Sequence, residues 1–227
     1  VRSGDAIPKP AFASVVFDAD STLSAIEGID WLGERRSADV AAQIAELTNQ
    51  AMDGRVSLNE VYAERVARIR PTRDELRLLS DAYIAQVVPG IAALLADLHA
   101  LGVNTAIVSG GIRDALLPLA THLGIAPERV FAVDLTSTAN NQTLDALLGD
   151  QPLATSRGKV TVVEQLLRSG AMLQPAVIVG DGATDAAVRE SIGTFIAFTG
   201  VVRRPAVVDT ADYEVVDVNA LRSLLIP

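Results

Sequence analysis

The sequence predicts an α/β fold in which a parallel sheet is flanked by helices and a helical insertion interrupts it after the first strand. Three observations lead there. From residue 90 to the end, short continuous aliphatic runs alternate with segments of helical periodicity, the pattern of a parallel sheet covered on both faces. The stretch from about 25 to 88 is helix-like throughout and carries no strand pattern. Finally, three aliphatic runs each empty into a short loop of Asp, Ser, Thr and Gly, where open α/β sheets place their ligand crevice.

In chain order, Val15-Val16-Phe17 reads as a buried strand that ends in Asp18-Ala19-Asp20-Ser21-Thr22. Val40–Met52, Leu58–Ile69 and Asp74–Val87 place apolar residues at three-to-four spacing and predict helices, punctuated by Pro71 and Pro89-Gly90. Ile91–Leu101 is predicted helical with Gly102 as its C-cap, then Val103–Val108 a strand and Ile112–Leu123 a helix. Val130–Leu135 is a strand, and 136–153 an extended loop or hairpin around Asn140-Asn141. Lys159–Arg168 reads as helix, Ala176–Val179 as strand and Asp185–Ser191 as helix; Thr194–Phe198 and Tyr213–Val216 are late strands before a terminal helix. The expected division is a core of 1–24 with 89–227 and a helical cap of 25–88.

Composition narrows the chemistry. A net charge of −9 argues against coating nucleic acid or an anionic membrane, and no apolar run approaches the length of a membrane span. The first ten residues lack the apolar stretch of a signal peptide, so a cytoplasmic location is the default expectation. With no cysteine there is no disulfide framework and no thiolate nucleophile. His99 and His122, the two histidines, lie within helical apolar patterns and read as core or surface residues rather than ligands. Chemistry here must run on carboxylates, hydroxyls and a few cations.

Each polar loop offers part of such a chemistry and also a plain structural role. At a strand exit, Asp18 and Asp20 can divide labour, one as nucleophile or metal ligand and the other as general acid and base; the alternative is a turn that caps the next helix. Ser109-Gly110-Gly111, read as a strand-to-helix loop, allows close backbone approach and aims helix N-terminal amides at an oxyanion, or is an ordinary turn. In Gly180-Asp181-Gly182-Ala183-Thr184-Asp185, two aspartates bracket small residues in a way that suits a hard cation such as Mg²⁺, the alternative being a surface turn. Lys159 stands out because the chain has 17 arginines and only one other lysine, Lys9. A compact ammonium charge opening a helix there is either selected or chance.

Together these residues resemble the four motifs of the haloacid dehalogenase superfamily: Asp18-Ala19-Asp20-Ser21-Thr22 the first, Ser109-Gly110-Gly111 the second, Lys159 the third and the segment 180–185 the fourth. The helical block between the first two corresponds to that superfamily's small cap, of the type inserted after the first strand (C1). The resemblance implies attack on phosphorus by Asp18, an aspartyl-phosphate intermediate, and Asp20 as the acid that protonates the leaving alkoxide and later deprotonates water. It also implies Mg²⁺ held by Asp18, the backbone carbonyl of Asp20 and Asp181, with Asp185 orienting that shell. Asp20 separates phosphatases from related transport ATPases and dehalogenases, which lack this acid.

The run through Glu27-Gly28-Ile29-Asp30 is similar to the phosphoserine phosphatase pattern, and Glu64–Ile69 resembles that family's cap helix. Independently, Leu58, Tyr62, Arg65 and Ile69 fall within a narrow arc at 100° per residue, which puts Arg65 mid-face among apolar residues and Arg68 at the margin. A buried guanidinium should meet an anion, either a protein carboxylate or a ligand. The resemblance implies that Arg65 grips the substrate carboxylate while Glu27 meets its ammonium group. It also implies that Met52 and Gly54 line the entrance and that Ser109, Gly110, Gly111, Thr184 and Arg204 support the phosphate. Leu58 stands where an aromatic residue is common. The expected partner is a small phosphorylated metabolite, phosphoserine first; phosphotransfer to an alcohol such as homoserine, or another small phosphomonoester, is the alternative.

Overall fold

The structure is a computed structural model that describes residues 10–53, 55–56, 58–137, 144–146 and 151–227. Strand β1 (Ser14–Phe17) lies at the centre of a six-stranded sheet, and four helices follow it: α1 (Gly28–Gly33), α2 (Ala38–Met52), α3 (Leu58–Ile69) and α4 (Arg73–Ala85). The chain then runs through α5 (Ile91–Ala100), β2 (Asn104–Ile112), α6 (Arg113–His122), β3 (Val130–Val133), β4 (Leu135–Ser137) and β5 (Leu144–Ala146). It ends with α7 (Gly158–Arg168), β6 (Ala176–Gly180), α8 (Ala183–Ala186), α9 (Arg189–Ile192), β7 (Phe195–Phe198), α10 (Pro205–Val208), β8 (Tyr213–Val215) and α11 (Val218–Leu225).

Strand order is β3-β2-β1-β6-β7-β8, all parallel, with β4 and β5 as a separate antiparallel pair. From β1 the chain builds outward through β2 and β3, then returns to the other side of β1 with β6. That reversal is a topological switch point, and the crevice it opens lies at the carboxyl ends of β1, β2 and β6. Val15, Val16, Phe17, Val177, Ile178, Val179, Phe195 and Ile196 are fully buried, as the aliphatic runs require.

Local signals set the element ends. Ser37 accepts the Val40 N–H at 3.4 Å to cap α2, and Asp217 accepts the Ala220 N–H at 2.8 Å to cap α11. Gly102 follows α5 with φ 74°, the left-handed stop its sequence position suggested. The helical block packs on the rest through α4 against α6 and α2 against α8. No described helix is long and apolar enough to cross a membrane.

Two expectations shift. Ser109-Gly110-Gly111 is an irregular continuation of β2, whose register with β3 slips between Val108 and Ile112, so α6 starts only at Arg113. The segment 185–191 is split between α8 and α9 rather than forming one helix. A short helix, α1, occupies 28–33, inside the stretch read as helix-like throughout. Lys9, Gly54 and the Asn140-Asn141 turn lie outside the described residues.

Candidate active site

β1 delivers Asp18 to the crevice floor. Its N–H donates to the Val179 carbonyl at 2.9 Å, continuing the sheet ladder, while its Oδ1 accepts the Ala19 N–H at 2.8 Å. No helix is capped by this carboxylate: the residue preceding α1 is Glu27. Beyond Asp20 the chain turns at Ser21, a non-glycine residue held at φ 52°, a costly conformation of the kind that clusters at functional sites. The Ser21 hydroxyl donates to Glu27 Oε1 at 2.8 Å, which brings Glu27 back over the same crevice.

From the other side of β1, β6 and α7 add the charges. Lys159 Nζ lies 2.9 Å from Asp18 Oδ1 and 2.7 Å from Asp185 Oδ1. Asp185 Oδ2 accepts the Gly182 N–H at 3.1 Å, and a Cβ at Gly180 would collide with the Asp185 carboxylate, so glycine is required where β6 ends. Asp18, Asp181 and Asp185 are buried, and one carboxylate oxygen from each lies within 4.8 Å of the others. Arg204, also buried, pairs with Asp181 Oδ2; its guanidinium is 3.7 Å from Glu27 and 3.9 Å from Asp53, and its Nε has no hydrogen-bond partner among the described residues. Arg204 therefore reaches the acidic cluster and Glu27.

Crowded carboxylates raise one another. Burial and then the Asp18 charge push Asp20 up to about 6, against hydrogen bonds from Tyr83 and Gly28. Burial pushes Asp185 up to about 7 despite Lys159, and raises Asp181 well above the carboxylate range despite Arg204. Glu27 is raised by burial and by Asp20 and Asp181. Lys159 is pulled down by burial, but Asp18 and Asp185 outweigh this and hold it above its ordinary value. The two cations thus leave the carboxylates under-neutralised, and an all-oxygen donor set of this size fits a hard divalent cation.

On the irregular end of β2, Ser109 is buried, and its Oγ accepts the Gly111 N–H at 3.0 Å. A Cβ on Gly111 would stand 3.2 Å from Asp20 Oδ2 and 3.3 Å from Ser109 Oγ, so the bare backbone leaves room between them. One pocket is lined by Asp18, Asp20, Gly110, Lys159, Asp181 and Thr184, and it extends past Glu27, Ile29 and Met52 to Tyr62 and Arg65. Met52, at the end of α2, packs against the Gly182 loop: a Cβ there would lie 3.1 Å from its Sδ.

Arg65 is buried and Arg68 exposed, as their positions on the α3 wheel require. Arg65 Nη1 donates to Thr48 Oγ1 at 2.8 Å, Thr48 bonds Asp30, and the guanidinium carbon stands 5.5 Å from the Tyr62 ring centre. Among the described residues, neither Arg65 Nε nor the Tyr62 hydroxyl has a hydrogen-bond partner, although both are buried. The protein therefore holds Arg65 through a neutral hydroxyl and leaves part of it open toward the pocket.

Sequence reasoning did not single out Tyr83, whose hydroxyl donates to Asp20 Oδ1 at 2.6 Å, nor Thr48 and Asp30 behind Arg65. Only helical periodicity marks Tyr83 as buried, and nothing in a sequence pattern announces a hydrogen bond 63 residues away.

The haloacid dehalogenase-like hydrolase family matches this chain over residues 15–188. The chloroplastic phosphoserine phosphatase of Arabidopsis thaliana is 35% identical over 88% of this chain and 67% of its own length. The phosphoserine phosphatase of Bos taurus is 34% identical over 90% of this chain and 89% of its own. Among solved structures, a phosphoserine phosphohydrolase-like protein from Francisella tularensis superposes with a TM-score of 0.84 at 27% identity, covering 93% of this chain and 98% of that one. Two strand-end aspartates, a lysine bridging two carboxylates and matches of this length lead to one conclusion: the chain is a phosphoric monoester hydrolase of the phosphoserine phosphatase family, within the haloacid dehalogenase-like hydrolases.

Proposed function

We propose that this enzyme hydrolyses O-phospho-L-serine to L-serine and phosphate, with Asp18 as nucleophile, Asp20 as acid and base, and Mg²⁺ as the metal. The observation that carries the reading is the convergence of Asp18, Asp20, Lys159, Asp181 and Arg65 on one pocket. At one end the pocket offers a carboxylate nucleophile beside an ammonium. It also offers a buried guanidinium, whose Nε has no partner among the described residues, and the Glu27 carboxylate. A zwitterionic amino-acid end requires such opposite charges, and the phosphoryl end requires positive charge around an anionic nucleophile.

In this reading Asp18, Asp181 and the backbone carbonyl of Asp20 hold the cation, and Asp185, fixed by Lys159 and the Gly182 N–H, stands behind them. The cation, when bound, supplies Lewis-acid shielding of phosphoryl charge. Lys159 keeps Asp18 oriented and adds positive charge beside the phosphoryl group. The Ser109 hydroxyl and the Gly110 amide bind the phosphoryl oxygens, and Thr184 closes that side. Asp20 donates its proton to the leaving serine oxygen and recovers one from the attacking water. Arg65 binds the substrate carboxylate, and Glu27 the ammonium, with Met52 at the entrance. Arg204 supports the site by neutralising Asp181 rather than by touching phosphate. The helical segment 25–88 serves as the cap that supplies Arg65 and Met52, on a core of 1–24 with 89–227.

The test is phosphate release from a panel of phosphoserine, phosphoethanolamine and sugar phosphates with Mg²⁺, with and without added alcohols. The expected result is preference for phosphoserine and no dependence on alcohol; alcohol-dependent turnover would instead make the enzyme a phosphotransferase. Asp18→Asn is expected to cut turnover by at least about a thousandfold with an unchanged circular-dichroism spectrum. Normal turnover in that variant rejects the mechanism.

A further inference from the structure

Asp20 is held by two donors on a single oxygen. The Tyr83 hydroxyl donates to Oδ1 at 2.6 Å and the Gly28 N–H donates to the same atom at 2.8 Å. The other oxygen, Oδ2, faces the Ser109-Gly110-Gly111 segment, where a Cβ at Gly111 would come within 3.2 Å of it. With Oδ1 occupied twice, Oδ2 is the oxygen left to exchange a proton with substrate. Tyr83 is fully buried, and its hydroxyl has the Asp20 carboxylate as its acceptor.

Tyr83 is also fixed from behind. The Ser24 hydroxyl donates to the Tyr83 carbonyl at 3.0 Å and to the Gln86 carbonyl at 3.2 Å, at the end of α4 where carbonyls lack helical partners. Ser24 further bridges to Val87 through the backbone, which ties the root of the helical block to the loop that carries Asp20. At position 28 any side chain would collide with the Tyr83 hydroxyl, so glycine there lets the two donors share one acceptor. A backbone donor eight residues away and a side-chain donor 63 residues away thus meet on one oxygen.

We propose that Tyr83 is a positioning residue of the phosphatase reaction, pinning Asp20 so that Oδ2 delivers and retrieves the catalytic proton. In the first half-reaction an Asp18 carboxylate oxygen bonds to phosphorus and the bond from phosphorus to the substrate alkoxy oxygen breaks. Its electron pair stays on that oxygen, which takes the proton from Asp20 Oδ2. In the second, a water oxygen bonds to phosphorus and gives one proton to Asp20 Oδ2. The bond to Asp18 breaks, restoring the carboxylate and releasing phosphate. The inference rests on Asp20 as the acid assigned above.

Tyr83→Phe removes only the hydroxyl. The experiment compares rapid-quench rates of phosphoenzyme formation from phosphoserine, whose alkoxide needs the proton, and from p-nitrophenyl phosphate, whose leaving group does not. The expected result is a loss of about tenfold or more with phosphoserine, change within about twofold with p-nitrophenyl phosphate, and an unchanged KM for both. A merely structural role would slow both substrates together, and that outcome, or no change with either, overturns the proposal. Ser24→Ala keeps the tyrosine but frees the last turn of α4; it carries the same readout if the first variant does not fold. Asp20→Asn is the control. No leaving-group split there means that the acid is misassigned, whereas a split there without one in Tyr83→Phe sinks only the role of Tyr83.

Discussion

At the scale of single residues, burial of charge decides most of the argument, and Arg65 is the clearest case. Its guanidinium is buried, its protein partner is the neutral Thr48 hydroxyl, and burial lowers its pKa against the pull of Tyr62 and Asp30. A side chain left so short of counter-charge is poised for an anionic ligand. Arg65→Ala is expected to raise KM for phosphoserine about 10–100-fold, because charge-assisted hydrogen bonds contribute about 1.5–3 kcal/mol. Arg65→Lys should recover little of this, since an ammonium cannot reproduce the fork. Steady-state kinetics with phosphoserine and phosphoethanolamine check both; an equal loss on the substrate without a carboxylate would detach Arg65 from carboxylate binding. That Arg65 is buried was legible in the sequence, since helical periodicity fixes which face a residue occupies. Its hold through Thr48 and Asp30 was not, because Asp30 lies on α1 and Thr48 on α2, and only tertiary packing brings them to α3.

At the scale of elements, periodicity and capping signals carried far. The α3 limits agree with the sequence reading at both ends, and α2, α4 and α5 agree to within two residues. What escaped were the limits of short pieces: α1 inside the stretch read as helical, and the split of 185–191 into α8 and α9, which complete too few turns to show a period. The strand-like path of Ser109-Gly110-Gly111 escaped for a different reason: a slipped register depends on the neighbouring strand β3, which local sequence does not encode. The join between α3 and α4 shows how one residue can secure several elements. Glu75 closes a capping box with Thr72, accepting its N–H at 2.8 Å, and takes two hydrogen bonds from Arg36 at 2.6 and 3.0 Å. Arg36 also donates to the Ile69 carbonyl at 2.8 Å, at the end of α3. Chiefly through Arg36, the Glu75 carboxyl is held down at about 2. A depressed carboxylate adds stability that is present above its unfolded value, about 4.5, and is lost as pH falls toward 2. Both side chains are partly exposed, so solvent screening limits the effect. Glu75→Gln is expected to lower stability by about 0.5–1 kcal/mol at pH 7 in urea unfolding, with the difference shrinking below pH 4.5. A constant difference across that range would show that the capping geometry, not the charge, was lost.

For the molecule as a whole, the site and the fold are in electrostatic tension. A chain of net charge −9 gathers Asp18, Asp20, Asp181, Asp185 and Glu27 around one crevice, with Lys159 and Arg204 as the cations paired to them. The motif residues point to this gathering from sequence alone, because strand-end loops of a parallel sheet converge by topology. The direction of the effect on stability follows from the raised carboxyls. Asp20 moves from 3.8 to about 6 and Asp185 from 3.8 to about 7, so each binds protons more tightly folded than unfolded. A group raised in this way contributes stability that is fully present below its unfolded value and disappears as pH climbs through its folded value. Metal-free enzyme is therefore expected to lose stability from this cluster between pH 4 and 7. A divalent cation that binds only the folded site opposes that loss and adds RT ln(1 + [L]/Kd), about 2.7 kcal/mol at a hundredfold excess over Kd. For a chain of this size that corresponds to a rise in Tm of about 5–10 °C. Thermal unfolding with saturating Mg²⁺ or with EDTA, at several pH values from 4.5 to 8, checks the prediction. The gap should widen as pH increases, because protons compete with the cation for the same oxygens. Asp181→Asn should narrow it at pH 7 and above without unfolding the protein. If Mg²⁺ gives the same shift at every pH, or the shift survives in Asp181→Asn, the cation binds elsewhere and the carboxylate cluster is not its site.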